Sequence, residues 1–221
     1  MEYLPILPIL LLSVIIHEIA HGWMALRLGD PTAKDLGRLT LNPIPHLDLM
    51  GSIVIPLLSL VSAGTVFIAW AKPVPINPAN FKNPRRDDIL VSAVGPISNL
   101  VVALGCALLY ALIVTVFGSV NTMADGAERE TALFLQKMFG YGISMNVFLA
   151  VFNLIPVPPL DGSHVLASLL PPTMGAAFRR IGFAGIIAII VLMRVPVVWE
   201  SIVTVVRTLE TPYNLLIHLL I

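Results

Sequence analysis

The sequence predicts an all-α polytopic membrane protein: a bundle of about four to six transmembrane helices, with a re-entrant segment and a small β-strand element. The chain is 57% hydrophobic, and only 12% of its 221 residues are charged, about half the charged fraction of a soluble domain. Several apolar windows reach the roughly 20 residues that a helix needs to cross a bilayer. Acidic and basic residues balance at 13 each and form no basic block. The expected partner is therefore a lipid bilayer and not a nucleic acid.

The amino-terminal half is predicted to form one spanning helix, a polar connection and an interrupted apolar segment. The first helix is expected at residues 4–28. Residues 29–48 are polar, Pro43 and Pro45 disfavour a helix there, and 38–41 form a candidate short strand. Residues 49–70 are apolar but are interrupted by proline and small polar residues. The stretch WAKPVPIN at 70–77 has proline at alternate positions and is a candidate edge strand.

The carboxyl-terminal half is predicted to contain a long helix followed by shorter apolar segments. The long helix is expected at 89–117, and the mildly acidic stretch 118–138 separates it from the next apolar segment, 139–155. The prolines of NLIPVPPLDG end that segment, and a short helix is expected at 163–170. The last apolar segments are 181–193 and 197–206, separated by Arg194 and Pro196.

The positions of Lys and Arg predict the orientation of these segments, because cytoplasmic loops carry an excess of both. Basic residues occur in 29–48, 72–88 and 171–180, whereas 118–138 is mildly acidic. We therefore expect the amino terminus outside the cell and the three basic stretches inside it. Both flanks of 49–70 are then cytoplasmic, so this segment is expected to re-enter the membrane instead of crossing it. Backbone of that kind must be covered by protein or by a wet cavity.

The stretch SVIIHEIAHGWMAL, residues 13–26, places polar side chains inside the apolar first helix. His17 and His21 are one turn apart and therefore share a helix face. Two imidazoles in this arrangement can bind one zinc ion. Glu18 lies about a quarter-turn away, so its carboxylate is expected to reach a water on the metal instead of the metal. It would accept a proton from that water and pass it to a leaving amine. The spacing thus predicts hydrolytic zinc chemistry.

The alternative explanation is a structural one, in which two core histidines and a glutamate bond to neighbouring helices. Insertion scales penalise a carboxylate at the centre of a spanning helix by roughly 2.5–3.5 kcal/mol. A divalent cation in a wet pocket offsets this penalty, whereas an inert core does not. We therefore favour catalysis over the structural role.

A hydrolytic zinc site needs a third protein ligand and an open position for water. Asp161 lies in PPLDG at the predicted cytoplasmic end of its segment, the side on which His17 and His21 are also expected. Position therefore favours Asp161. His164, three residues later, is expected to support it as a hydrogen-bonding partner. The other candidates are His46, for which a turn-stabilising role is favoured, Asp48, and His218 near the carboxyl end.

Together these motifs resemble those of the site-2 protease family of intramembrane zinc metalloproteases, peptidase family M50. HEIAH at 17–21 matches the HExxH pattern, and NLIPVPPLDG at 153–162 matches NxxPxPxLDG completely. GPISN at 95–99 resembles a third, weaker motif. Gly95 and Asn99 of this motif lie one turn apart, and we expect them to serve helix packing more than chemistry. The resemblance is to a short form, without the PDZ domain or the pair of CBS domains that some relatives carry.

The resemblance implies one zinc ion per chain, held by His17, His21 and Asp161, with Glu18 as the general base. It also implies that Asn153 binds the substrate or steadies the oxyanion. The alternative for Asn153 is a hydrogen bond between helices.

The function expected from this resemblance is hydrolysis of a peptide bond within or near the transmembrane segment of single-span membrane proteins, in regulated intramembrane proteolysis or in the clearance of signal peptides. Residues 1–221 are expected to form one domain, with a catalytic core at about 4–170 and C-terminal helices at about 181–220. The protein is expected to be a multi-pass protein of the cell membrane, with its active site toward the cytoplasm. An unwound substrate could pair with residues 70–77 as an added strand. The alternative is that the prolines there only prevent edge pairing.

Two other classes of protein remain as alternatives. A metal-binding membrane transporter is expected to show inverted repeats, and we find no such internal symmetry. A non-catalytic membrane interaction protein on the same scaffold is expected to lack Glu18, which is present.

Overall fold

The computed structural model describes residues 5–54, 71–118, 120 and 123–221, with only the backbone at 52 and 53, and this part of the chain is helical without any strand. Its α-helices are α1 Ile6–Arg27, α2 Thr32–Asp35, α3 Pro84–Phe117, α4 Ala127–Asn153, α5 Asp161–Leu169, α6 Pro172–Arg179, α7 Gly185–Met193 and α8 Pro196–Leu220. Short 3₁₀ turns occur at Ile44–His46, Pro78–Asn80 and Gly182–Ala184, and Leu49–Val54 is π-helical.

The predicted β element is not found in the described residues. Residues 39–41 form bends, because side chains at 40 and 42 bond to the backbone and turn it. Asn42 N donates to Thr40 Oγ1, and Ile44 N donates to Asn42 Oδ1. Such local bonds compete with strand pairing. Residues 71–77 also have no strand partner among the described residues. The candidate strand at 38–41 is therefore wrong.

Three helices begin earlier than the apolar pattern predicts. α3 starts at Pro84 instead of residue 89. α4 starts at Ala127, inside the stretch predicted as a polar connection, and its first turn contains Glu128 and Glu130. Carboxylates in a first turn are stabilised by the positive end of the helix dipole. α5 starts at Asp161, two residues before the predicted start at 163, so Asp161 belongs to the helix.

Among the described residues, α1 and α3 are long and apolar enough to cross a membrane. The segments Pro172–Arg179 and Gly182–Met193 form a pair that is bent by 71°. If this pair is one broken span, the described residues contain three spans. The described residues do not reach the predicted number of four to six spans, because α4 and α8 are not among the helices that are long and apolar enough to cross a membrane. The predicted re-entrant break falls in 55–70, outside the described residues.

α3 is the central helix and packs against α1, α4, α5 and α8. Its inward face is made of buried small residues, which allow neighbouring helices to approach closely: Gly95, Asn99, Ala103, Cys106, Ala107 and Ala111. Its outward face is large and apolar, with exposed Ile97, Val101, Leu104, Leu108, Leu112 and Val116. A helix that is apolar on both faces belongs in a membrane or a large core, so the outward face of α3 is expected to contact lipid.

Two apolar clusters hold the two ends of α1 against α3. The first joins α1, α3, α4 and α8 through buried residues that include the lone cysteine: Ile9, Cys106, Ala107, Ile143 and Ile217. The second joins the end of α1 to the start of α3 through Ala25, Phe81 and Val91. The HEIAH turn of α1 lies between these clusters, and there it faces Val91, Gly95 and Asn99 of α3.

Candidate metal centre

His17 and His21 of α1 meet Asp161 at the first residue of α5. The two imidazole Nε2 atoms lie 3.0 Å apart. Asp161 Oδ2 is 3.2 Å from His17 Nε2, and Asp161 Oδ1 is 3.3 Å from His21 Nε2. None of the three side chains is more than 18% exposed. The structure thus brings together, within a few ångströms, the three residues that the sequence nominated as ligands.

Hydrogen bonds behind both imidazoles determine which ring nitrogen carries the proton. His21 Nδ1 lies 2.7 Å from the carbonyl oxygen of Val91, which can only accept, so Nδ1 must donate. His17 Nδ1 donates to Asn99 Oδ1 at 2.6 Å. A neutral imidazole with its proton on Nδ1 has a lone pair on Nε2, and this is the usual arrangement behind metal-bound histidines.

The converging atoms are therefore all acceptors. Two Nε2 lone pairs and a carboxylate face one another, and Asp161 Oδ2 is buried without a hydrogen-bond donor in the described part of the chain. A buried charge of this kind requires a partner or a metal ion. Two histidines and one carboxylate form a donor set that catalytic zinc sites use. The residues present fit a zinc ion.

Gly95 of α3 makes room for the imidazole rings of His17 and His21. A Cβ atom at this position would overlap His21 Nε2 and would lie 2.7 Å from His17 Cε1. We predicted helix packing for Gly95 and Asn99, whereas the structure places both of them against the imidazoles. Their one-turn spacing in GPISN was the only signal in the sequence, and it did not show which helix they would face.

The backbone of NLIPVPPLDG returns to the end of α4, and this return positions Asp161. Gly162 makes it possible, because a Cβ there would overlap the carbonyl group of Leu154. Gly185 at the start of α7 packs equally closely on the carbonyl group of Pro158. The Pro158–Pro159 peptide bond is cis. The glycine after Asp161 is thus explained by close backbone packing.

Glu18 lines the same cavity of about 550 Å³ as the three converging side chains. Its Oε2 accepts a hydrogen bond of 2.7 Å from the backbone N–H of Val74. Val74 packs against α1 at Gly22, where a Cβ would lie 2.8 Å from Val74 Cγ1. Residues 71–77 therefore lie along the cavity and hold the Glu18 carboxylate from outside α1.

Asp30 fixes the far end of this segment. Its side chain is fully buried and accepts hydrogen bonds from Asn77 N at 2.7 Å, from Asn80 Nδ2 at 2.7 Å, and from the backbone and hydroxyl of Thr32. Burial would raise the pKa of the Asp30 carboxyl, but the hydrogen bonds from Thr32, Asn77 and Asn80 outweigh it and lower the pKa below its usual value of 3.8. The ionised carboxylate thus stabilises the native state.

We expect Asp30→Asn to lower the free energy of unfolding at pH 7 by about 1–3 kcal/mol, the value of hydrogen bonds to a charged group. Because the folded-state pKa is lowered, this contribution is complete above 3.8 and is lost as the pH falls through the folded-state pKa. Thermal unfolding in detergent between pH 7 and pH 3 checks this, with Asp35→Asn as the exposed control. A difference between wild type and Asp30→Asn that does not shrink in acid would contradict it.

Asn153 also lines the cavity. Its Nδ2 donates to Leu149 O at 3.0 Å within its own helix. No hydrogen bond from the Asn153 side chain to another helix is recorded in the described residues, so the structure does not support the packing alternative considered for this residue.

The other ligand candidates do not converge with His17, His21 and Asp161, although His164 lines the same cavity. His164 Nδ1 is 3.7 Å from Asp88 Oδ1 of α3, so His164 faces Asp88 instead of supporting Asp161 as predicted. His46 is buried and donates from Nε2 to Thr40 O at 2.9 Å, which agrees with a turn-stabilising role. Asp48 accepts from Gly51 N at 2.7 Å, and His218 is exposed on α8.

Fold and site together define a helical membrane protein with a His–His–Asp group that could hold a metal ion. The model of peptidase family M50 matches residues 5–195. The chain belongs to this family.

Two relatives carry the name "Putative zinc metalloprotease". YwhC of Bacillus subtilis is 39% identical over 199 residues, which cover 87% of this chain and 83% of YwhC. Rip2 of Mycolicibacterium smegmatis is 30% identical over 186 residues, which cover 84% of this chain and 65% of Rip2. No solved structure matches the chain at a significant level.

Proposed function

We propose that this protein is an intramembrane zinc endopeptidase that hydrolyses a peptide bond within or near the transmembrane segment of single-span membrane proteins. The observation that carries the proposal is the buried group of acceptors formed by His17, His21 and Asp161 beside Glu18. Membership of peptidase family M50 and the names of YwhC and Rip2 support it. Residues 1–221 act as one domain in this proposal.

The chain's own side chains supply the proton transfers. Zinc bound by His17, His21 and Asp161 would polarise the scissile carbonyl and lower the pKa of a water molecule. Glu18 accepts a proton from the attacking water as the new C–O bond forms, and delivers it to the amine nitrogen as the peptide C–N bond breaks. The Val74 N–H holds Oε2 of Glu18, which leaves Oε1 to exchange the proton.

Asn153 is placed to assist at the substrate carbonyl. Its Nδ2 carries two hydrogens, and the bond to Leu149 O occupies one of them. The second hydrogen can donate to an oxygen in the cavity that develops negative charge during the reaction. Asn153 is therefore the substrate-binding residue of this proposal.

A peptide bond inside a helix is shielded by the helix's own hydrogen bonds, so the substrate must unwind before it is cut. Residues 71–77 lie along the cavity without a strand partner among the described residues. We infer that the unwound substrate adds to this segment as a strand. Pro73 and Pro75 have no N–H to offer. Arg38 already donates to Pro73 O at 3.3 Å, so pairing on this side uses the carbonyl oxygen of Pro75.

The membrane arrangement of the proposal follows the basic residues. Arg27 ends α1 and is followed by Lys34 and Arg38, which by their charge favour the cytoplasmic side. His21 lies less than two turns before Arg27 in α1. In the cell membrane, the site would therefore open toward the cytoplasm, and the cut would fall in the cytoplasmic third of the substrate span.

The proposal is tested with the full-length protein in detergent, incubated with a panel of single-span substrates. Mass spectrometry of the products is expected to find new termini in the cytoplasmic third of the span, and a zinc chelator is expected to stop the reaction. Cleavage confined to the outer third would contradict the orientation. Intact substrates throughout the panel would contradict the proposed activity.

A further inference from the structure

A series of buried polar side chains leads from the metal centre into the bundle. Behind His17, Asn99 Nδ2 of α3 donates to Asn146 Oδ1 of α4 at 3.1 Å. Asn146 Nδ2 donates to Ser13 Oγ of α1 at 2.8 Å and to Gly142 O at 2.8 Å. Ser13 Oγ in turn donates to Ile9 O at 2.6 Å. Asn99, Asn146 and Ser13 are each at most 1% exposed.

The Gly142 end of this series determines which atom is the donor and which is the acceptor in every hydrogen bond. The carbonyl oxygen of Gly142 can only accept, so the amide group of Asn146 must turn its Nδ2 that way. The Oδ1 atom of Asn146 then faces Asn99, so Asn99 must donate its hydrogen bond from Nδ2. Asn99 therefore presents its Oδ1 to the ring of His17, whose Nδ1 must carry the proton.

We propose that Asn146, which makes no hydrogen bond to any of the three ligands, is a positioning residue that sets the tautomer and ring orientation of His17 through Asn99. The inference rests on the proposed function, because it concerns a metal ion bound at Nε2 of His17. Partners behind a metal-bound histidine fix its tautomer and raise the basicity of the ligating nitrogen. Asn99 of α3 is the direct partner of His17, and Asn146 of α4 holds the amide of Asn99 in place.

The location of these groups argues against packing as their whole role. Polar side chains in apolar helices are costly and most often mark a functional site, and interhelical hydrogen bonds contribute little to the stability of membrane bundles on average. Without the Asn146 acceptor, the amide of Asn99 can rotate and offer Nδ2 to His17, which would favour the wrong tautomer for a ligand.

The test is a double-mutant cycle on zinc affinity, measured by competition with a chelator on the full-length protein in detergent. Asn99→Leu is expected to weaken zinc binding about 10–100-fold, as for other partners behind metal ligands. Asn146→Leu is expected to weaken it about tenfold, near the lower end of that range. In the Asn99→Leu background, Asn146→Leu is expected to cause no further loss of zinc affinity, because the Asn99 amide through which Asn146 acts on His17 is absent.

Gln136→Leu is the matched control, since it removes another buried amide of α4. Gln136 donates to Gly118 O at 3.3 Å and lies outside the series. Its zinc affinity is expected to equal that of the wild type. The visible spectrum of the cobalt-substituted protein provides a second measurement, which is expected to change in Asn99→Leu and Asn146→Leu but not in Gln136→Leu.

The inference is overturned if Asn146→Leu binds zinc as tightly as Gln136→Leu, or if the effects of Asn99→Leu and Asn146→Leu simply multiply. Should Asn146→Leu fail to fold, Asn146→Ala takes its place in the cycle, since it removes the same amide without adding bulk. A wild-type protein that binds no zinc at all would instead contradict the proposed function.

Discussion

Glu18→Gln is expected to lower the rate of substrate cleavage by about 10²–10⁴-fold, the usual contribution of a general base, while bound zinc is retained. The glutamine has the same shape and can still accept the Val74 N–H bond, so residues 71–77 should keep their place along the cavity. It cannot take up a proton from the attacking water. The loss should appear in kcat with KM nearly unchanged, because only a transition-state interaction is removed.

The measurement is cleavage of a single-span reporter together with metal analysis of the same preparation. Glu200→Gln is the matched control, because Glu200 is exposed on α8 and should leave both quantities unchanged. A Glu18→Gln protein that cleaves at the wild-type rate would remove Glu18 from the mechanism. Loss of zinc with loss of cleavage would instead make Glu18 a determinant of the metal site.

Gly95→Ala is expected to weaken zinc binding by at least about 100-fold, the upper end of the losses seen for residues that surround a metal site. The added methyl group would lie 2.5 Å from His21 Cε1 and 2.7 Å from His17 Cε1. The rings cannot move aside without breaking their hydrogen bonds to Asn99 and Val91. Cleavage should fall with the zinc content.

Gly105→Ala is the control for Gly95→Ala, since it makes the same change in the same helix. A Cβ at Gly105 would meet nothing within 4 Å, so zinc affinity should be unchanged. Both proteins are compared by chelator competition and by thermal unfolding without metal. Wild-type zinc affinity in Gly95→Ala would show that the two imidazoles do not converge on an ion at this place.

The sequence nominated three residues that the structure brings close together. His17 and His21 share a face through helix geometry alone, and Asp161 was favoured because PPLDG lies at the predicted cytoplasmic end of its segment. Asn99, Asn146 and Val91 carry no such local signal, because their roles depend on how α3 and α4 are rotated toward α1. A close approach such as that of Gly95 likewise becomes visible only when two helices are packed together.

Helix boundaries and strands were predicted less well, for two physical reasons. Hydropathy marks the part of a helix that lies in an apolar environment, so the charged first turns of α4 were assigned to a connection. Strand propensity at 38–41 was overridden by the bonds of Thr40 and Asn42 to the backbone. The prediction of one domain at 1–221 stays a prediction, as do the cytoplasmic orientation and the class of substrate.

The most direct test of the central claim is the metal content of protein purified without chelators, compared with Asp161→Ala and with Asp125→Ala, a control whose side chain is 96% exposed. We expect one zinc ion per chain in the wild type and in Asp125→Ala, and a large loss of zinc in Asp161→Ala. A wild type without stoichiometric metal, or an Asp161→Ala protein with its full zinc content, would contradict it.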